Sequence, residues 1–337
     1  LRVRINYIGE LTSVFDLHSN REALQRGQEG NQFWLFEDRP FVWDAWDIEA
    51  SVEEGAEREV RPATIDVRNF DGLRAEVIVE RPLGFASRMK QIIRLDAFSP
   101  RVDFITEVDW AERHTLLKVA FPVSVHASSA TYDIQFGQIA RPTHRNTSWD
   151  AAKFEVPGHR WVDMREEGFG VALLNDCKYG FDVRGSLMRQ SLLKSATMPN
   201  PDADQGKHEF TYSFMCHDGS GFEEVNRQAA LLNNPPEWIA GTEANAIEKL
   251  NISPLNLEGT GAVVSAIKRS EDGNAVIVRV YQSERRVSHM SCHFNGELGS
   301  ICGLINEIAE DVDQHRAMEA LGPFEIRSLR FQGKCNA

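Results

Sequence analysis

Along the chain, short runs of β-branched, aromatic and aliphatic residues alternate with polar positions and are closed by Gly, Pro, Asn or Asp. The runs Leu1 to Ile5, Val77 to Glu80, Ile92 to Leu95, Val102 to Val108, Leu116 to Phe121, Tyr132 to Phe136, Gly170 to Leu174 and Phe210 to Phe214 read as strands, because such side chains fit the pleated, half-buried surface of a sheet. The gaps between them rarely leave room for a crossover helix. That spacing predicts mostly antiparallel sheets packed face to face as a sandwich. Nearly everything up to Ser220 reads as β.

From Gly221 the period changes. In FEEVNRQAALLNNPPEW, Phe222, Val225, Ala229 and Leu232 recur at helical spacing, acids occupy the first turn, and Asn-Asn-Pro-Pro is a stop, which predicts one amphipathic helix. After the polar stretch GTEANAIEKLNISPLNLEGTGAV, the segment VVSAIKRSEDGNAVIVRVYQ carries two alternating runs joined by a turn at Asp272-Gly273, the pattern of a hairpin. The closing PFEIRSLRF, residues 323 to 331, alternates imperfectly, as a last strand with a local irregularity does. The expected organisation is a large β domain over 1–220, a helix and linker over 221–250, and a smaller terminal β-sandwich over 251–337.

Composition narrows the function classes. The 337 residues, with 42% hydrophobic and 9% aromatic, suit a packed chain of two domains. With 37 Lys+Arg against 50 Asp+Glu the formal charge is -13, and no basic patch stands out, so neither nucleic acid nor an anionic membrane is an expected partner. No apolar run approaches the roughly 20 residues that span a bilayer. The opening LRVRINYIGEL alternates instead of forming a signal-peptide core, and a start inside a strand suggests a natural chain that begins further upstream. Cys177, Cys216, Cys292, Cys302 and Cys335 are few, odd in number and scattered, which favours a reducing compartment over a disulfide framework. The N-x-S triplets at Asn146 and Asn251 add little.

Three stretches carry more polar and aromatic chemistry than a sandwich requires. In NQFWLFEDRPFVWDAWDIE, Glu37, Asp38, Asp44 and Asp47 lie among Trp34, Trp43 and Trp46. Tryptophans stack on sugar faces and carboxylates accept from hydroxyls; the alternative is Trp filling space between sheets while the acids cap turns. In RPTHRNTSW, Arg141, His144 and Asn146 share a proline-started loop with several hydroxyls, suited to a polyhydroxylated ligand, to bracing a neighbouring domain, or to a self-bonded solvated loop. In LLNDCKYGFDVR, Asn175, Asp176, Lys178 and Tyr179 project from a turn closed by Gly180. They read as a binding loop or a surface ion pair, with Cys177 as a buried inert thiol. His144 and His159 stand fifteen residues apart and match no metal-ligand spacing. Nucleophile elbows, glycine-rich phosphate loops and H-E-x-x-H are absent; a two-carboxylate glycosidase leaves no fixed motif.

Across GELTSVFDLHSNREAL, GNQFWLFEDRPFVWDAWDIE, VDWAERHTLLKVAFPV, IQFGQIARPTHRNTSWD, AKFEVPGHRWVDM and GVALLNDCKYGFDVRGSLMRQSLLKSATMPNPDADQGKHEFTY, the chain resembles glycoside hydrolase family 38, especially its shorter cytosolic, vacuolar and bacterial α-mannosidases. LLNNPP and PFEIRSLRF resemble that family's linker and terminal β domain. The resemblance covers nearly the whole chain but only the C-terminal half of a family member. It implies a mainly β fold: a large antiparallel β-supersandwich of the galactose mutarotase-like kind, a smaller C-terminal β-sandwich and one connecting helix.

The same resemblance implies hydrolysis of terminal α-linked mannose in oligosaccharides by a retaining mechanism. The zinc or cobalt ion and the Asp nucleophile belong to an N-terminal α/β barrel that these residues lack, so no catalytic or metal residue carries over and the chain alone is expected to be inactive and metal-free. Arg141, His144, Asn146, Asn175, Asp176, Lys178 and Tyr179 are the candidates for a substrate cleft or domain interface. The expected partners are mannose-containing oligosaccharide and the N-terminal catalytic module, with homo-oligomerisation also compatible. The expected compartment is the cytoplasm, with vacuole or lysosome also compatible. Competing readings are a stand-alone carbohydrate-binding or assembly module and, less favoured, a mutarotase-like enzyme with its own His and Glu.

Overall fold

A computed structural model describes residues 1–237, 254–295, 297–303, 307 and 320–332. It divides into two compact units, Leu1–Ile134 with Ile139–Pro235, and Gln135–Gln138 with Pro236–Ala337. The fold is mainly β, and every strand pairing among the described residues is antiparallel, as the short inter-strand gaps predict.

In the larger unit two sheets face each other. One has the strand order Val156–Pro157, Gly180–Arg184, Leu187–Lys194, Thr115–Pro122, Gln32–Glu37 and Ala56–Arg58. The other runs Gly137–Pro142, Ser129–Ile134, Trp161–Glu166, Phe169–Asn175, Gly206–His217, Arg101–Trp110, Ser87–Asp96, Arg74–Leu83 and Thr64–Phe70. Because side chains alternate across a strand, Leu117, Val119 and Phe121 of the run LLKVAF enter the space between the sheets. There Phe121 meets Phe214 of the facing sheet at 5.1 Å between ring centroids and Phe104 at 5.8 Å. Burying a side chain of this size contributes about 1.5–3 kcal/mol. A small sheet of Arg2–Ile5, Leu11–Asp16 and Arg21–Glu22 adds Leu11 and Val14 to the same core.

One polar knot sits inside that core. The Tyr212 hydroxyl donates to Asn31 Oδ1 at 2.6 Å and accepts from Gln91 Nε2 at 2.9 Å, while Asn31 Nδ2 donates to Gln91 Oε1 at 2.8 Å. Burial raises the Tyr212 phenol well above its usual range, so it stays a neutral donor. A closed ring of partners is what makes such burial tolerable.

Among the described residues, one helix packs on the outer side of the nine-stranded sheet, over its third to fifth strands. Helix Glu223–Asn233 lays Val225 and Ala229 on Trp161, Ala172, Leu174 and Met215, with Phe222 and Leu232 packed alongside. These are the four positions whose spacing predicts the helix. Arg101 Nη1 anchors it further by donating to the Gln228 carbonyl at 2.6 Å. Strands Arg74–Leu83, Ser87–Asp96 and Arg101–Trp110, further along, carry charged residues on that side.

The smaller unit pairs Ala262–Arg269 with Ala275–Gln282, and the latter with Ile326–Gln332. Its core is Val278, Val280, Met290, Cys292, Leu321, Leu329 and Phe331. Asp272 and Gly273 form the turn between the first two strands, with Gly273 at φ 75, a conformation glycine adopts freely. Two expectations are corrected. The final strand begins at Ile326 and keeps an unbroken register with its neighbour, and Phe324 sits before it at φ 58. Likewise the strand read as Tyr132 to Phe136 stops at Ile134, with Phe136 in the left-handed region at φ 54.

Candidate functional site

The chemistry-bearing side chains concentrate on the outer face of the six-stranded sheet. Leu117 and Val119 face the core, so Lys118 between them faces outward. Outward here is not exposed, since Lys118 is 3% accessible. Its ammonium pairs with the Glu155 carboxylate and with Asp182 Oδ2 at 3.0 Å. Asp182 is held by Arg189 Nε at 2.7 Å, and Arg189 Nη2 reaches Glu53 Oε1 at 2.7 Å. Both cations lie over the Phe36 ring, at 5.4 Å for Lys118 and 5.5 Å for Arg189. A buried charge persists only when it is paired and hydrogen-bonded, and here each carboxylate has a cation at hydrogen-bond distance.

The cover over this cluster comes from two loops. Residues 38–55 cross the sheet and end in the 3-10 turn Ala50–Gly55, whose Val52 packs on Phe36 and Leu116. Asp38 pairs with Lys194, and Asp44 Oδ2 accepts from the Thr197 and Met198 backbone N–H at 2.6 and 3.2 Å. Burial alone pushes the Asp44 carboxyl up; the Thr197 and Met198 hydrogen bonds outweigh it and leave the group below the usual carboxylate range. The second loop, 143–155, is tied down by Arg145 Nη2, 3.0 Å from Glu53 Oε1. Burial likewise raises Glu53, and Arg145 and Arg189 bring it net below its ordinary value.

Beside the cluster opens a cavity of about 410 Å³ lined by Ile48, Glu155, Lys178, Tyr179, Ser191 and Lys194 among others. Of the seven residues singled out from sequence, Lys178 and Tyr179 line it and the other five do not. Lys178 Nζ rests 4.9 Å from the centre of the Phe210 ring, and Tyr179, half exposed, has its ring 5.6 Å from that of His159. Asn175 is fully buried, with Nδ2 on the His159 carbonyl at 2.8 Å and Oδ1 accepting from Lys178 N at 2.8 Å. It shapes the turn. Asp176 Oδ2 accepts from Thr211 N at 2.8 Å, and its Oδ1 is buried without a protein partner.

Arg141 stacks on Tyr132 at 4.5 Å, with one buried guanidinium nitrogen unpartnered, and burial lowers its pKa. His144 is exposed with Nδ1 3.7 Å from Asp150 Oδ2, and Asn146 is exposed. Thr147 caps the short helix Ser148–Ala151, accepting from Asp150 N at 3.1 Å, a common use of Thr at a helix start.

Two readings from sequence change here. Trp43 and Trp46 are 69% and 72% exposed and meet edge-on at 6.3 Å, while Trp34 packs on the outer-face cluster. These tryptophans therefore do not fill the space between sheets. The backbone bonds to Asp44 and the Glu49 carboxylate, which accepts from Phe41 N at 2.7 Å, hold the loop so that its aromatic rings face water. Cys177 is exposed, not buried. Partial desolvation and the Asp176 carboxylate push its thiol up to about 11, so it stays protonated at neutral pH.

Lys118, Glu155, Asp182, Arg189 and Glu53 escaped the sequence reading. Their signal is a charge interrupting an otherwise apolar strand, as in LLKVAF, FDV and LMRQSLL. Among the described residues, no group of three or more His, Cys, Asp or Glu side chains is arranged to hold a metal ion. The zinc or cobalt that the resemblance implies finds no donor set among them.

The chain thus holds a sandwich of facing antiparallel sheets, with a buried ion cluster and loops that display aromatics, and a second, smaller β unit. A family model described as glycosyl hydrolases family 38 C-terminal domain matches residues 1–202, and one described as the family 38 C-terminal beta sandwich domain matches residues 261–329. The chain belongs to glycosyl hydrolase family 38. It is 38% identical over 341 residues to human alpha-mannosidase 2C1, covering 98% of this chain and 32% of that protein. With the alpha-mannosidase of Saccharomyces cerevisiae it shares 35% over 362 residues, 96% of this chain and 33% of the other. The chain thus spans about a third of the length of these curated relatives. An alpha-mannosidase from Enterococcus faecalis V583 has the same fold, with a TM-score of 0.81 at 17% identity over 98% of this chain and 41% of that one. No helix among the described residues is long and apolar enough to cross a membrane.

Proposed function

We propose that these residues form the C-terminal β portion of an α-mannosidase that releases terminal α-linked mannose from oligosaccharides by a retaining mechanism. The attacking and protonating carboxyl groups, and the zinc or cobalt ion, belong to polypeptide outside them. The observation that carries this reading is the match of nearly the whole chain to about a third of named α-mannosidases. Two further features support it. Glu155, a carboxylate that lines the cavity, is bound to Lys118 and so is poorly placed to exchange protons with a leaving sugar. The rings of Phe41, Trp43 and Trp46, 91%, 69% and 72% exposed, suit a surface that another part of the enzyme covers.

In this reading residues 1–220 present the outer face of the six-stranded sheet to the catalytic portion, and the loops Arg141–Trp149 and Asn175–Tyr179 border the substrate cleft. The reducing cytoplasm is the compartment that the free thiols favour. The exposed Trp43–Trp46 pair also favours a second reading, a carbohydrate-binding or assembly module that works without catalysis. Steady-state kinetics separates the two. In an enzyme joining this chain to its catalytic portion, Trp43→Ala/Trp46→Ala and His144→Ala should lower kcat/KM for α-mannosides, the double change by about tenfold or more, equivalent to about 1.4 kcal/mol. Wild-type kinetics in His144→Ala would sink the cleft-bordering role of its loop, and wild-type kinetics in the double variant would sink the role given to the exposed rings.

A further inference from the structure

On the opposite side of the sandwich, strands Arg74–Leu83, Ser87–Asp96, Arg101–Trp110 and Gly206–His217 form an open groove of about 720 Å³, within the roughly 300–1,000 Å³ typical of ligand clefts. Antiparallel register sets its surface in two rows. Arg88 lies opposite Asp109, and Asp109 opposite Lys207; in the next row Glu80 lies opposite Lys90, Lys90 opposite Glu107, and Glu107 opposite Glu209. Neighbouring strands are about 4.8 Å apart, so donors and acceptors repeat across the groove at a short, regular interval.

These side chains are exposed, and among the described residues none of them joins an ion pair or a side-chain hydrogen bond. The contrast within the same sheet is sharp. Further along, Arg74 pairs with Asp96 at 2.6 Å, Arg94 with Glu76 at 2.8 Å and Arg101 with Asp103 at 2.8 Å. The groove therefore offers both signs of charge, alternating except where Glu107 faces Glu209, and unspent on one another.

At its rim stands Phe85, 97% exposed. The hairpin tip that carries it is fixed from beneath. Gly84 N donates to Glu59 Oε2 at 3.1 Å, Ala86 N and the Ser87 hydroxyl donate to Glu112 Oε1 at 2.8 and 2.9 Å, and Ser87 Oγ accepts from Ala111 N at 2.9 Å. A large apolar ring held over a groove by a rigid turn, with no side chain packed on it, is a preorganised stacking surface.

We propose that this groove binds a neutral oligosaccharide, at a site separate from the outer face of the six-stranded sheet. Three cations, Arg88, Lys90 and Lys207, against four carboxylates, Glu80, Glu107, Asp109 and Glu209, leave too little net charge to attract a phosphate backbone or a cationic peptide. They do match vicinal hydroxyls, each of which donates and accepts, and Phe85 provides the face against which a pyranose ring lies. The ligand class rests on the groove itself. The preference for α-linked mannose among saccharides rests on the proposed function.

Calorimetric titration of the 337-residue chain with mannotriose, maltotriose and cellotriose tests this. The expected result is saturable mannotriose binding that weakens by about tenfold or more in Lys90→Ala/Glu107→Ala and in Phe85→Ala, and is unchanged in Phe98→Ala, an exposed ring of the same sheet's loops outside the groove. Circular dichroism should show the groove variants folded, since all three side chains are exposed. Failure of all three sugars to bind overturns the proposal, as does binding that survives the groove changes or disappears in Phe98→Ala. Binding of a glucan alone, lost with Phe85, supports the groove and counts against the mannosidase reading.

Discussion

Two charge clusters, one on each outer face of the large sandwich, are built in opposite ways. On the six-stranded side Lys118, Asp182 and Arg189 are 3%, 3% and 8% accessible and bound to one another through Glu155 and Glu53. On the nine-stranded side Arg88, Lys90, Glu107 and Asp109 alternate in register, exposed and unpaired among the described residues. The difference is one of cover. Residues 38–55 and 143–155 take the first set out of water, and a desolvated charge must find a partner in the same chain. Nothing described covers the second set, which keeps its bonding capacity for a ligand. Cover thus separates the two clusters: the desolvated charges are spent on one another, and the uncovered ones remain open to a ligand.

This contrast can be broken at its strongest point first. Lys118→Ala leaves Asp182 and Glu155 buried beside an absent cation and should destabilise the chain by about 3–5 kcal/mol, read as a lower urea midpoint. Lys118→Met with Asp182→Asn and Glu155→Gln should recover much of that loss, because the stranded charges go with the cation. A smaller effect is expected inside the core. Tyr212→Phe removes the hydroxyl that joins Asn31 to Gln91 and should cost about 1–3 kcal/mol by orphaning buried amide groups.

Acid should act on buried carboxylates of both sheets. Asp44 and Glu53 on the six-stranded face, and Asp163 beneath His217 and Arg165, all sit net below the ordinary carboxylate range. In each case burial pushes up and is outweighed by hydrogen bonds and nearby cations. A carboxyl with a lower pKa folded than unfolded stabilises the fold above its unfolded value of about 4. That contribution is lost as pH falls through the folded values. Urea midpoints should therefore be flat near neutrality and drop below about pH 4, with Asp163→Asn less stable at neutral pH and less sensitive to acid. The smallest effect belongs to the groove, where Lys90→Ala should change stability by no more than about 0.5 kcal/mol while weakening saccharide binding.

What the sequence made legible follows the same division. Strands and the helix are local patterns: LLKVAF reads as a strand, and Phe222, Val225, Ala229 and Leu232 read as the face that packs on Trp161 and Leu174. Ends are less legible, because Phe136 and Phe324 continue an apolar pattern while their backbones turn left-handed. The ion cluster was out of reach, since Lys118 meets partners 37 and 64 positions away and no spacing rule announces them. The sequence leaves the Trp43–Trp46 loop open between filler and display for a related reason. Asp44 is held by Thr197, 153 residues on, and that tie keeps the rings in water. The groove is invisible along the chain because its alternation runs across strands.

The central claim is that these residues shape and support an α-mannosidase without supplying its reacting carboxyl groups. Incubating this 337-residue chain with a chromogenic α-mannoside, with and without zinc or cobalt, tests it most directly. The account predicts no release of the chromophore under either condition. Release that survives repurification and grows with the amount of chain would contradict it, and would place a working pair of carboxyl groups within these residues.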